Sequence, residues 1–125
     1  MASGPYPDPD SGNTPLASII DSSKRIGLPT ALIVASVRSA PQVISEMSER
    51  GIKVPLDMSV IGIGDTEFAK ITSPKLTTVW LPFEKMGQKS VEMLINAVEG
   101  KELIDFKLPD SPRIVLRDST GAPRQ

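Results

Sequence analysis

The stretch G-I-K-V-P-L-D-M-S-V-I-G-I-G-D, residues 51–65, organises the reading of the whole chain. Gly51 stands where an apolar stripe at helical spacing stops, which marks it as a helix terminator. Residues 59–63 (S-V-I-G-I) are small or β-branched and lack polar alternation, the mark of a strand buried on both faces. Gly62-Ile63-Gly64 then reads as a tight turn at the strand's C-terminal end, because glycine tolerates positive φ. A dinucleotide-binding turn would need a third glycine, and that position is Glu67.

Upstream, Ser39 or Ala40 opens a helix with Pro41 in its first turn and Val43, Ile44 and Met47 as its stripe. Capping is the expected role of Ser39. Before it, residues 30–36 (T-A-L-I-V-A-S) form another strand expected to be buried on both faces. A shorter helix is expected over 15–25, with Thr14 as its cap, Leu16, Ile19 and Ile20 on its apolar side, and Gly27 as its stop. Residues 1–13 carry little apolar material and are expected to be a disordered tail. Downstream, L-T-T-V-W (76–80) is a third strand, reached through at most one helical turn around 67–71. A long amphipathic helix spans about 83–99, with Phe83, Met86, Leu94, Ile95 and Val98 on one face and Gly100 at its end. R-I-V-L-R (113–117) is the last strand. Strands alternating with helices predict an α/β fold, a mostly parallel sheet flanked by helices.

Composition narrows the chemistry. The 125 residues include no Cys and no His, so a zinc site of the usual kind, a thiol nucleophile and a histidine base are all absent. Fourteen Lys+Arg against fifteen Asp+Glu leave a net charge of -1 and no basic cluster, which argues against nucleic-acid binding by this chain alone. Its apolar runs are too short to span a bilayer and its N-terminus is unlike a secretory signal, so a cytoplasmic protein without membrane contact is expected. No metal or cofactor is expected.

Several residues are candidates for chemistry, each with a plainer role beside it. Ser36 and Ser39 follow a strand's C-terminal end, where open α/β sheets place ligand groups, but a serine nucleophile here would have only lysine as its base. Asp65 and Glu67 form either a carboxylate pair or, more plainly, two solvated loop residues. Trp80 serves either as a stacking platform for an apolar sugar face or as a core or interface anchor.

Three stretches in order, 51–65, S-P-K-L-T-T-V (73–79) and R-I-V-L-R-D-S-T (113–120), together with P-T-A-L-I-V-A-S (29–36), resemble the lactose/galactose repressor family of bacterial transcription regulators. The resemblance spans about 26–123. It implies a partial periplasmic-binding-protein-like lobe, the C-terminal part of a sensor domain, without the DNA-binding head or the N-terminal lobe. DNA would then be contacted only through a domain outside this chain, and the chain is expected to be a fragment of such a regulator. The resemblance also places a small-molecule effector, a sugar or a derivative held weakly by this lobe alone, against Ser36, Val37, Gly64, Asp65, Trp80 and Leu81. The family's Asn-Asp is Ser36-Val37 here, its first paired aspartate is Gly64, and a polar contact is Leu81, so hydroxyl-pairing groups are lost. A homo-oligomeric contact falls on Pro41, Ile44, Phe68 and Ile71. The helix within 82–100 would pack on the N-terminal lobe. A lobe of a stand-alone sugar-binding protein and, less favoured, a small α/β enzyme using a Ser/Lys or carboxylate site are the rival expectations.

Overall fold

A computed structural model describes residues 16, 27, 29–102 and 105–123. The expected helix over 15–25 and the tail over 1–13 fall outside the described residues, apart from Leu16, which is buried in the core. The described elements are β1 (Ala31–Val34), α1 (Ala40–Glu49), β2 (Ser59–Ile63), α2 (Phe68–Ile71), β3 (Thr77–Trp80), α3 (Phe83–Val98) and β4 (Arg113–Val115). The four strands form one sheet in the order β1-β2-β3-β4. The first three run parallel and β4 returns antiparallel to β3, a mixed sheet with helices. Among the described residues no helix is long and apolar enough to cross a membrane.

The core lies between α1 and one face of the sheet. Ala40, Ile44 and Met47 pack with Val34, Val60, Met58 and Leu76, and burial of each of the larger of these side chains is worth about 1.5–3 kcal/mol. The helix stops at Gly51 as expected: Gly51 N–H donates to the Ser48 carbonyl at 3.0 Å and Ile52 N–H to the Met47 carbonyl at 2.9 Å, the paired bonds of a Schellman end. Its start differs from expectation. Ser39 makes no side-chain cap hydrogen bond, because its backbone is already helical (φ -85, ψ -14) and an N-cap hydroxyl needs an extended residue to reach back. The backbone turn from Ser36 and Val37 into Ser39 and Ala40 starts the helix in its place.

Burial of the strands on both faces is also not observed. Register and side-chain alternation put Ile33, Ile61, Ile63, Val79 and Ile114 on the face opposite α1, and Ile33 is 68% exposed. Only Thr77 is buried on this face, where Thr120 and Arg117 meet it, while Ile61, Ile63 and Val79 are half-buried. The outward positions are as apolar as the inward ones, so the sequence shows no alternation although the burial does. α3 carries no buried residue at all, and Phe83, Leu94, Ile95 and Val98 are open to solvent.

The terminal segment closes the strand starts. Ser119, fully buried, lies between β2 and β3: its Oγ donates to the Val60 carbonyl at 2.6 Å and accepts from Thr77 N–H at 2.8 Å. Its own carbonyl accepts from Val60 N–H at 2.8 Å. One residue thus satisfies three backbone groups that the short sheet ladder leaves without partners.

Candidate functional site

Parallel strands bring their C-terminal ends to one edge of the sheet, where the loops after β1, β2 and β3 meet. Backbone bonds fasten these loops together. Val37 N–H donates to the Ile63 carbonyl at 3.1 Å, and Gly64 N–H to the Val79 carbonyl at 2.9 Å. Gly64 has φ +95, a region that L side chains rarely adopt, so the expected tight turn is present. A Cβ there would also meet the Phe83 ring at 3.4 Å.

Asp65, next in the chain, is not a solvated loop carboxylate. Its side chain is 19% exposed and its Oδ1 accepts from Arg117 Nη2 at 2.7 Å and from Thr78 Oγ1 at 2.9 Å. Arg117 Nη1 donates in turn to Thr78 Oγ1 at 3.1 Å and to the Leu76 carbonyl at 2.8 Å. Burial pushes the Asp65 carboxyl up, but the hydrogen bonds from Arg117 and Thr78, then the charges of Arg117 and Lys70, outweigh it and hold the group below its ordinary value. Glu67 does not join it: that side chain is exposed and pairs with Lys70 at 2.7 Å. Among the described residues no cluster of metal-ligating side chains occurs.

Trp80 ends β3 opposite Arg113 of β4, whose guanidinium lies 4.3 Å from the ring centroid, within the range of a cation–π contact. Beside it opens a cavity of about 460 Å³. Asp65, Trp80, Leu81, Pro82, Phe83, Glu84, Lys85 and Asp110 line it, and Lys85 Nζ pairs with Asp110 at 2.6 Å. Of the six expected ligand contacts, Asp65, Trp80 and Leu81 are brought together here. The other three are not. Val37 is 4% exposed and belongs to the core, Gly64 is buried against Val37 and Phe83, and the exposed Ser36 has its Oγ accepting from Arg38 N–H at 3.3 Å.

Phe83, Lys85, Asp110 and Arg117 were not singled out by sequence as site residues. Arg117 left only a weak signal, a charge at the end of the apolar stretch 114–116. The expected oligomeric contact is partly gathered: Pro41, Ile44 and Ile71 line one groove of about 370 Å³. Ile44 is mostly spent in the core, and Phe68 lies under the Arg38 guanidinium at 5.7 Å.

Comparison with known proteins bears on this edge. The sequence profile of the periplasmic binding protein-like domain matches residues 5–120. The HTH-type transcriptional repressor PurR of Edwardsiella ictaluri is 32% identical over 114 residues, covering 91% of this chain and 33% of the repressor. PurR of Vibrio cholerae (strain M66-2) is 37% identical over 91 residues, covering 73% and 27%. Among solved structures, a LacI family transcriptional regulator from Mycobacterium smegmatis superposes with a TM-score of 0.75 at 30% identity, over 87% of this chain and 40% of that one. The dimeric Lac repressor with an 11-residue C-terminal deletion gives 0.66 at 31% identity, over 87% and 40%. The chain spans about a third of the length of the curated relatives it matches.

Proposed function

The chain belongs to the periplasmic binding protein-like domain family, as part of the effector domain of a LacI-family transcriptional regulator, and from that premise we propose that it senses a small molecule and performs no catalysis. The observation that carries the reading is the meeting of the chain segments that leave β2 and β3 at the cavity lined by Asp65, Trp80, Leu81 and Phe83. The effector is a sugar or a sugar derivative, and residues 14–123 form one partial lobe facing it. The rest of such a regulator supplies the opposite wall, and DNA is contacted by its head in the cytoplasm. With one wall, most of a ligand stays in water, so affinity is millimolar, about -4 kcal/mol. Titrating D-glucose while following amide shifts is expected to move residues 64–65 and 80–85 with a millimolar constant. Shifts confined to other residues, or a micromolar constant, would reject a half-built effector edge.

Self-association is the second part of the proposal. Pro41 and Ile71, the latter 74% exposed, border the groove between α1 and the segment after α2, and a two-fold contact presents the same patch twice. Ile71→Glu is therefore expected to weaken a dimer at least tenfold in sedimentation velocity without altering the fold. Ile44→Glu is the poorer test, since it would disrupt the core. An unchanged dissociation constant for Ile71→Glu would move the contact off this groove.

A further inference from the structure

Taking that cavity as the effector edge, we infer that the part of the effector meeting this lobe is a flat, uncharged aromatic ring, so that an aryl-substituted sugar is held in preference to a bare one. Part of the polar equipment of the cavity is already engaged. Asp65 Oδ1 carries two donors, and Lys85 Nζ is held by Asp110 at 2.6 Å. Leu81 and Pro82 have no polar side-chain atom to offer. Sugar hydroxyls brought against Leu81 and Pro82 lose water without gaining partners, a cost that a ring without hydroxyls does not meet.

Two aromatic rings share the remaining wall with Glu84, and both are held before any ligand arrives. Arg113 lies over the Trp80 ring at 4.3 Å. Phe83, 54% exposed, rests against the bare backbone of Gly64, where any side chain would crowd it at 3.4 Å. Stacking on such pre-set rings favours a planar partner by about tenfold.

Saturation-transfer NMR on the 125-residue chain with phenyl and methyl β-D-glucopyranoside tests this directly. The phenyl compound is expected to bind about tenfold more tightly, with transfer strongest on its ring protons. Trp80→Leu and Phe83→Leu are each expected to abolish the preference, and Trp80→Phe to retain it. Equal binding of the two glycosides would overturn the ring inference and leave the effector edge standing. A phenyl preference that persists in both leucine variants would place the ring on the open sheet face or on α3, and would also overturn it. Binding of neither glycoside would remove both the inference and the reading it rests on.

Discussion

Ser119→Ala is expected to lower the stability of the chain by about 2–4 kcal/mol, because it strips partners from two buried backbone groups at once, the Val60 carbonyl and the Thr77 N–H. Each orphaned group in a dry site costs about 1–3 kcal/mol, whereas the volume lost is only one oxygen. A domain of this size holds on the order of 5–15 kcal/mol in total, so the variant should show a much lower urea midpoint with its slope unchanged. Thr120→Ala is the matched control. Thr120 Oγ1 meets Thr77 Oγ1 at 3.0 Å in a half-buried place, and its loss should cost about 1 kcal/mol or less. Equal midpoints for the two variants would show that Ser119 is not the tie between β2 and β3.

The second large effect is at Arg117. Its side chain is 13% exposed and neutralises a carboxylate that is 19% exposed, so Arg117→Leu leaves Asp65 charged and poorly solvated. Breaking such a pair from one side costs about 3 kcal/mol at neutral pH, the lower end of the range because neither partner is wholly dry. The pH dependence identifies the cause. Asp65 titrates below its ordinary value in the folded chain, so the pair's contribution is complete above the unfolded carboxylate's range, near pH 4, and is lost as pH falls through the folded value. In Arg117→Leu only burial and the weaker bonds remain, and the carboxyl is then more easily protonated on folding. The stability gap between the native chain and the variant should therefore be largest near pH 7 and narrow toward pH 3. A gap of the same size at both pH values would assign the loss to packing of the arginine stem and not to charge.

Local pattern carried most of the fold. Residues 59–63 were legible as a strand because five small or β-branched residues sit between turn-forming neighbours, and β2 occupies those same five positions. Gly51 and Pro41 bracket α1 through backbone chemistry that depends on few neighbours. Where the outcome depended on distant residues, the sequence was silent. Asp65 and Arg117 lie 52 positions apart, and nothing in either neighbourhood announces the pairing. Ser119 looks like a polar residue in a terminal loop, yet it is fully buried because two diverging strands need a donor and an acceptor there. The same blindness applies to the site. Trp80, Leu81 and Asp65 were legible from strand ends and resemblance, but Phe83 was assigned wholly to the α3 stripe, although its ring lies against Gly64 and lines the cavity. The family resemblance puts Val37 on the ligand side, whereas the turn after β1 folds it into the core.

The same α3 stripe separates one lobe from a complete protein. A helix of 16 residues with no buried side chain is held outside its own hydrogen bonds only by such exposed contacts as Lys85–Asp110 and Lys89 over the Phe106 ring, and isolated helices of that length are marginal in water. Phe83, Met86, Leu94, Ile95 and Val98 would each gain about 1.5–3 kcal/mol from cover, enough together to decide whether α3 is stable. The central claim is that this chain is one lobe whose α3 is shaped to pack on another body. Native-state hydrogen exchange on a sample shown by sedimentation to be monomeric tests it most directly. The account predicts that amides of 59–63 exchange only on global unfolding, while those of 86–98 exchange orders of magnitude faster through local opening. Equal protection of the two segments in the monomer would mean that α3 finds its cover within this chain, and would contradict the claim.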